Sequence, residues 1–474
     1  MDDHADRADS PSNVPTRREF LGYTAGGLAG LAAVGGTLHT IGATEQEQKA
    51  DLGTADEHAA YQYFHTPWAE IESDLERVAD AGIKTIWVPQ PSESKLSWED
   101  QATEDQEGFY EDEHPYYGHL EPHPPLGYQP VDLRNFDSAY GTEAELESLI
   151  ETAHDHDIEV VLDTVLNHMA NPPGPEGEVD WPQFDEDEHF HDYGTLGGDC
   201  ELVGEEAEYE CDLLGLPTLD LEHPEVQAAH RDYLERIAAV GADGLRYDAA
   251  GHIWPWYFQD EINPLADELG LWRVGEIWDH NIDRLLEFAE TGMTVFDFPL
   301  HDTIQSVFDG GRMTQLAADN EPGVVHHRPE VAVTFAQNHD INGPGVGPDD
   351  PEGVEIDLAH AYLLAYEGKP MLFRADLDDP ALQDLIRVQN EYASGPAIDR
   401  YVDDACYVFE REGNLLAGIN IGNEPYETTV ETSWEGLELV DQTDTGEDLS
   451  VDTAGEVSLE IPAEGWVMYT PLSS

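Results

Sequence analysis

Gly244-Leu245-Arg246-Tyr247-Asp248, followed by Ala249-Ala250-Gly251-His252, is a short apolar run that ends abruptly in polar residues. The two-residue period of a strand points Arg246 and Asp248 to the same face. Upstream, Pro224 sits where a first helical turn tolerates it, and Gly241 ends a helix that runs to Val240. The unit is therefore a helix, then a strand with polar residues at its C-terminal end. Working outward, the same unit recurs. Tyr61-Gln62-Tyr63-Phe64, Thr85-Ile86-Trp87-Val88, Glu159-Val160-Val161-Leu162, Val331-Ala332-Val333-Thr334-Phe335 and Pro370-Met371-Leu372-Phe373 are further apolar runs, with amphipathic helical patterns between them. Thr142-Glu143-Ala144-Glu145 forms a capping box, and Leu146, Leu149, Ile150 and Ala153 follow it at helical spacing.

Such alternation predicts a parallel sheet with helices outside. The number of units favours an α/β fold of the (β/α)8 TIM-barrel type over a doubly wound sheet. The barrel is expected over residues 59–168 and 223–400. Residues 169–222 break the rhythm. They are rich in Pro, Gly, Asp and Glu and read as an insertion domain rising from the third strand. Cys200 and Cys211 bracket an acidic loop there and suit a local disulfide, leaving Cys406 as an odd thiol buried in a strand. From residue 401 to 474, runs such as Tyr407-Val408-Phe409 and Trp466-Val467-Met468-Tyr469 predict an antiparallel β-sandwich domain. Residues 44–58 are polar and read as a linker.

The chain has 474 residues, 102 of them acidic and 20 basic, for a formal net charge of −82. Lysines are confined to Lys49, Lys84, Lys95 and Lys369. This balance excludes a nucleic-acid binder working through a basic groove and a polybasic membrane-surface protein. Ten Trp, 20 Tyr and 14 Phe argue for a folded chain with an acidic surface rather than for disorder. At molar salt the Debye length falls to about 3 Å and self-repulsion is screened. The composition therefore predicts a protein of a hypersaline, haloarchaeal type.

Thr16-Arg17-Arg18-Glu19-Phe20-Leu21 precedes a Gly/Ala-rich apolar run over residues 22–38. Twin arginines before such a run resemble a twin-arginine export signal, here residues 1–43. The run is too short and weakly apolar to prefer the bilayer. The expected location is extracellular, with no membrane association once the signal is removed.

Four segments place polar residues at the C-terminal ends of predicted strands, where barrel active sites lie. They are Asp163-Thr164-Val165-Leu166-Asn167-His168, Gly244 to His252, Gly275-Glu276-Ile277-Trp278 and Phe335-Ala336-Gln337-Asn338-His339-Asp340. Each alone is weak, since an Asp after a strand is often a helix cap. In this order they resemble the four characteristic regions of the α-amylase family of glycoside hydrolases, family 13. The resemblance extends to Gly127-Tyr128-Gln129-Pro130-Val131-Asp132 and to Leu216-Pro217-Thr218-Leu219-Asp220 at the end of the insertion.

Retaining glycoside hydrolysis needs a carboxylate nucleophile and a carboxylic acid/base roughly 5–5.5 Å apart. By resemblance Asp248 is the nucleophile, Glu276 the acid/base with a raised pKa, and Asp340 the third carboxylate, which holds sugar hydroxyls. Arg246 is expected to keep Asp248 ionised. His168 and His339 are expected to hydrogen-bond the sugar, Tyr128 to stack on it, and Trp278 and His252 to line the leaving-group side. Gly251 replaces a Lys often found before the histidine at 252. The resemblance also implies calcium, held by Asn167, Asp212 and the carbonyl of His252, although Thr218 stands where the family usually has an Asp ligand. Asn342 replaces the basic residue of chloride-dependent members.

The sequence thus predicts a monomeric, secreted, salt-adapted α-amylase cutting inside α-1,4-glucans such as starch. A glucanotransferase or maltooligosaccharide-forming relative would share the same carboxylates. A non-catalytic glucan-binding protein would require a broken triad. A metal-dependent barrel hydrolase would require a His pair at a strand end, and His189-Phe190-His191 lies in the insertion.

Overall fold

The computed structural model describes residues 53–100, 126–171, 181–346 and 353–472. The expected export signal, and the linker as far as residue 52, lie outside the described residues. Eight parallel strands close into a barrel. They are β1 (Ala60–Gln62), β2 (Thr85–Val88), β3 (Glu159–Val165), β4 (Gly244–Asp248), β5 (Trp272–Gly275), β6 (Thr294–Phe296), β7 (Ala332–Thr334) and β8 (Lys369–Phe373). Strands pair in sequence order, and β8 returns to β1 with Met371 opposite Ala60.

A principal helix follows each strand: α1 (Trp68–Asp80), α2 (Glu143–Asp155), α3 (Pro224–Ala239), α4 (Asn263–Leu269), α5 (Ile282–Ala289), α6 (Phe298–Phe308), α7 (Val354–Ala365) and α8 (Pro380–Tyr392). The capping box is made, with Glu145 N–H donating to Thr142 Oγ1 at 3.3 Å and Thr142 N–H to Glu145 Oε2 at 2.8 Å. Gly241 takes φ +99 just past α3, a conformation that a side chain would strain.

The two-residue period divides each strand between two cores. Val160 and Leu162 of β3, and Leu245 and Tyr247 of β4, pack outward against the helices. Val161, Val274, Val333, Met371, Trp87 and Phe296 point inward and fill the barrel. Two residues further along the strands the same inward face carries Asp163 and Glu276, with Arg246 and Asp248 on β4. An apolar layer thus lies beneath a charged layer at the strands' C-terminal ends.

Between β3 and α3 the insertion is irregular, with a short helix (Glu205–Glu210), isolated bridges His168–Thr218 and Phe190–Leu219, and the Cys200–Cys211 disulfide across a Cα–Cα distance of 6.0 Å. Cys406 is free and buried.

The C-terminal region is antiparallel. It comprises β9 (Ala397–Val402), β10 (Cys406–Arg411), β11 (Leu415–Asn420), β12 (Tyr426–Glu431), β13 (Glu438–Asp441), β14 (Leu449–Ser450), β15 (Glu456–Ile461) and β16 (Gly465–Pro471). Six strands form one sheet in the order β9-β10-β11-β16-β13-β14, and β12 pairs with β15. Alternation again splits the faces. Tyr407 and Phe409 pack on α7, with Phe409 and Tyr366 ring centroids 5.1 Å apart, while Cys406 and Val408 face the second core. The first strand starts at Ala397, ahead of the expected 401, because polar Asp399 and Arg400 disguise it.

The stretch read as a linker needs correction. Ala55 N–H donates to the Glu330 carbonyl at 2.8 Å, and Trp272 Nε1 to the Thr54 carbonyl at 3.1 Å. Asp56 pairs with buried Lys369, and Glu57 receives both Arg411 Nη2 bonds, at 2.8 and 2.9 Å. Residues 53–58 therefore lie across the strands' N-terminal ends and tie the barrel to the C-terminal sheet. Their carboxylates look like linker polarity but serve buried cations.

Candidate active site

Arg246 is the hub of the charged layer. It is wholly buried. Its Nη1 donates to Asp163 Oδ1 and Oδ2 at 2.9 and 3.0 Å and to Asp248 Oδ1 at 2.8 Å, and its Nη2 lies 2.5 Å from Glu276 Oε1. The guanidinium also lies 4.8 Å from the Trp87 ring centroid. Three carboxyl groups from three strands converge on one cation. Just past Asp248 the backbone turns sharply, with Ala249 in the left-handed region at φ +47, and Ala249 N–H donates to Glu276 Oε2 at 2.9 Å. A non-glycine residue in that conformation costs of order 1 kcal/mol and is typical of functional turns. Gly275 lets Glu276 approach, since a Cβ there would lie 2.6 Å from Met293 Sδ.

Burial pushes the Asp248 carboxyl well above the usual carboxylate range; Glu276 and Asp163 add repulsion and Arg246 opposes them. Asp163 is raised too, again mainly by burial. Arg246, expected to keep Asp248 ionised, does oppose the upward shift, but its one guanidinium is shared among three carboxyl groups.

A second chain of bonds leads away from Asp163. The Tyr128 hydroxyl donates to Asp163 Oδ2 at 2.9 Å, so its oxygen accepts from His339 Nε2, also at 2.9 Å. His339 Nδ1 then faces the Gln62 amide at 2.8 Å. Asp340 Oδ2 lies 3.3 Å from His339 Nε2, on a turn that Asn338 Oδ1 builds by accepting from Asp340 and Ile341 N–H. His168 Nε2 donates to the Tyr128 carbonyl at 3.1 Å, and burial depresses this imidazole to about 4, leaving it neutral. Both histidines expected to bind sugar thus engage Tyr128, one at its carbonyl and one at its hydroxyl. They position the aromatic ring expected to stack on the sugar.

Trp278 is 54% exposed and stacks on Phe298 with centroids 5.5 Å apart. His252 lies on the same side, but its Nδ1 donates to the Glu208 carbonyl of the insertion at 3.0 Å. Of the expected metal ligands, Asn167 and Asp212 both border Thr218. The Asn167 carbonyl accepts Leu219 N–H at 3.0 Å, and Asp212 Oδ1 accepts Thr218 N–H at 3.0 Å. Asn167 Oδ1 is buried without a hydrogen-bond partner. The Thr218 hydroxyl donates to the Cys211 carbonyl at 3.2 Å and adds no anionic ligand. Among the described residues, no three His, Cys, Asp or Glu side chains cluster in a way that could hold a metal. His189 of the His-x-His pair accepts Asp185 N–H at 2.8 Å.

Residues 69–195 match the family described as the α-amylase catalytic domain. The α-amylase of Bacillus licheniformis is 25% identical over 421 residues, spanning 73% of this chain and 77% of that protein. Residues 69–195 are thus similar to an α-amylase-family catalytic domain. The chain is a glycoside hydrolase. A cyclomaltodextrin glucanotransferase of Bacillus sp. (strain 38-2) is 27% identical over 316 residues, 62% of this chain and 41% of that one. Among solved structures, the α-amylase from Geobacillus thermoleovorans complexed with acarbose superposes with a TM-score of 0.70 at 19% identity, covering 88% of this chain and 98% of that one. CldA, a cyclomaltodextrin glucanotransferase with a three-domain distribution, reaches 0.73 at 20% identity, with 89% and 100% covered. These likenesses carry the eight-stranded barrel and C-terminal sheets. The charged layer also includes Asp163, and Gln62 joins it through His339; sequence reasoning gave neither a role. Asp163 carried a signal, since it stands opposite Arg246 on the neighbouring strand.

Proposed function

We propose that the enzyme hydrolyses internal α-1,4 bonds of starch-like glucans with retention of configuration. The observation that carries this reading is the single Arg246 guanidinium gripping Asp248 and Glu276 with adjacent nitrogens. That arrangement suits the close carboxyl spacing of a retaining pair, roughly 5–5.5 Å, better than the about 6.5–9.5 Å gap that admits a water in an inverting pair. Asp248 attacks the anomeric carbon while Glu276 protonates the departing oxygen. Glu276 then takes a proton from water as the glycosyl–Asp248 ester is cleaved. Asp340 and the Arg246-held carboxylates stabilise the oxocarbenium-like transition state, and Tyr128 supports the sugar ring.

Calcium is a structural ion in this reading. Unpartnered Asn167 Oδ1, the Asp212 carboxylate and the His252 carbonyl offer hard oxygen donors, and burial together with nearby Asp192 and Asp199 raises Asp212, which a cation would relieve. Bound there, calcium would join insertion to barrel. The protein is further proposed to leave the cell by the twin-arginine route and to work as a monomer in high salt. Changing Arg17 and Arg18 to Lys should then keep activity out of the medium.

A glucanotransferase is the second reading, favoured by the likeness to cyclomaltodextrin glucanotransferases. Proton NMR of soluble starch digested in molar salt separates the two. New α-anomeric reducing ends with a rapid fall in chain length support the hydrolase. Redistributed linkages without new reducing ends support the transferase, and β-anomers as first products would refute retention.

A further inference from the structure

Outside the carboxylate cluster, one cation stands where three segments meet. Arg284 lies in the first turn of α5, which Asn281 caps by accepting Asp283 N–H at 3.1 Å. Its Nη1 is 2.9 Å from Glu208 Oε2 and 3.0 Å from Asp279 Oδ2, and its Nη2 donates to the Gly251 carbonyl at 2.8 Å. Glu208 belongs to the short helix of the insertion, Gly251 to the turn after β4, and Asp279 directly follows Trp278. Gly251 is itself packed on the acid/base segment. Its N–H donates to the Glu276 carbonyl at 3.0 Å, and a Cβ at that position would lie 3.5 Å from Ile277 Cα and 3.8 Å from Trp278 N. The guanidinium therefore grips the Trp278 loop from both sides and fastens it to the insertion. The same helix docks through His252 Nδ1 on the Glu208 carbonyl and through Tyr209, whose ring lies 4.2 Å from that of Trp254.

We propose that Arg284 is a positioning residue that fixes the insertion helix and Trp278 as two walls of the leaving-group side, and so sets how tightly glucose units beyond the cleaved bond are held. The proposal rests on the glucan-hydrolase reading above. One face of Trp278 lies on Phe298 and the other is left for a sugar ring. Glu208 and Asp279 share one nitrogen of Arg284. Without that cation two like charges face each other across the junction and drive the walls apart. A lysine offers one point charge and cannot hold both carboxylates and the carbonyl in a planar fork.

The test uses the full chain in molar salt, with Arg284→Ala, Arg284→Lys, Glu208→Gln and the double variant Glu208→Gln/Arg284→Ala. Each is assayed on maltoheptaose and on a nitrophenyl maltotrioside whose leaving group is the aryl ring alone. Arg284→Ala should raise KM for maltoheptaose about tenfold with kcat within about threefold, and should change the aryl substrate less than about twofold. Lysine should recover only part of the loss. The double variant should be no worse than Arg284→Ala, because both changes cut the same tie. Equal losses on both substrates, tracking a fall in Tm, would show a merely structural role and overturn the proposal. So would an Ala variant equal to wild type, or multiplicative effects in the double variant. Wild type cleaving neither substrate would instead refute the hydrolase reading and take this proposal with it.

Discussion

Asp163→Asn tests whether the buried cluster tunes the reaction through charge. Asp163 is almost wholly buried, and its two oxygens and Asp248 Oδ1 all lie within 3.0 Å of Arg246 Nη1. Oxygens of different carboxyl groups that share one nitrogen at these distances are about 5 Å apart. At that distance and an effective dielectric near 20, two unit charges repel by about 3 kcal/mol, or roughly 2 pK units. Part of this is lost as Arg246 relaxes toward the remaining carboxyls, so a net shift of about 1 unit is expected. The sign follows from removing a negative neighbour: the remaining carboxylates are easier to ionise and their pKa values fall. Activity needs the Asp248–Glu276 pair to hold one proton, so both limbs of the bell-shaped kcat/KM profile should move about 1 unit to lower pH. The amide oxygen can still accept from Arg246, and the peak should drop by no more than about tenfold. The assay is kcat/KM against pH on maltoheptaose at constant molar salt. A lowered bell with unmoved limbs would refute the electrostatic role and leave Asp163 a purely geometric support.

Asp248→Asn should abolish turnover by about four orders of magnitude while leaving the thermal transition in molar salt within a few degrees of wild type; appreciable residual activity would remove it as nucleophile. Asp297 is wholly buried, accepts N–H bonds from Leu300, Val324 and Val325, and is raised by burial to about 6. Its folded pKa thus lies above an unfolded value of about 3.9, so the stability it contributes is complete below about pH 4 and lost as pH rises through 6, by up to about 3 kcal/mol. The difference in urea stability between wild type and Asp297→Asn should fall by that order between pH 4 and 7, and a constant difference would contradict the assignment. Glu57→Gln leaves buried Arg411 without its charged partner and should cost about 1–3 kcal/mol in urea unfolding, whereas true linker residues would cost nothing.

The barrel was legible because its signal is local. Each strand is a short apolar run, and the punctuation at Thr142, Pro224 and Gly241 marks helix ends within a few residues of their partners. What escaped was non-local. Asp56 and Glu57 are polar residues in a polar stretch, and their partners Lys369 and Arg411 lie more than three hundred positions away along the chain. Nothing near residue 56 announces that Lys369 begins a strand on its inward face. The early start of β9 escaped for a similar reason. Asp399 and Arg400 break the apolar pattern, yet they are paired internally, Arg400 with Glu410 and Asp399 with the Tyr407 hydroxyl.

At the site, residue types were legible but proton and bond ownership were not. Strand ends rich in Asp, Glu and His mark the chemistry. Which nitrogen of His339 carries the proton depends on Tyr128 donating to Asp163, a link among three segments. The total charge misleads in the same way. A net charge of −82 describes the surface, where molar salt screens neighbours beyond about 3 Å. The cations that organise the fold lie inside: Arg246 and Arg411 are fully buried, and Arg273 and Lys369 nearly so. Arg246 pairs with buried carboxylates in a medium that salt does not reach, whereas the carboxylates that meet Arg273, Lys369 and Arg411 stand partly in solvent. Salt should therefore govern whether the acidic shell tolerates the compact state, while the ionisation of the Arg246 cluster stays set by geometry. Global stability should respond steeply to ionic strength, and the pH profile of catalysis should hardly respond at all.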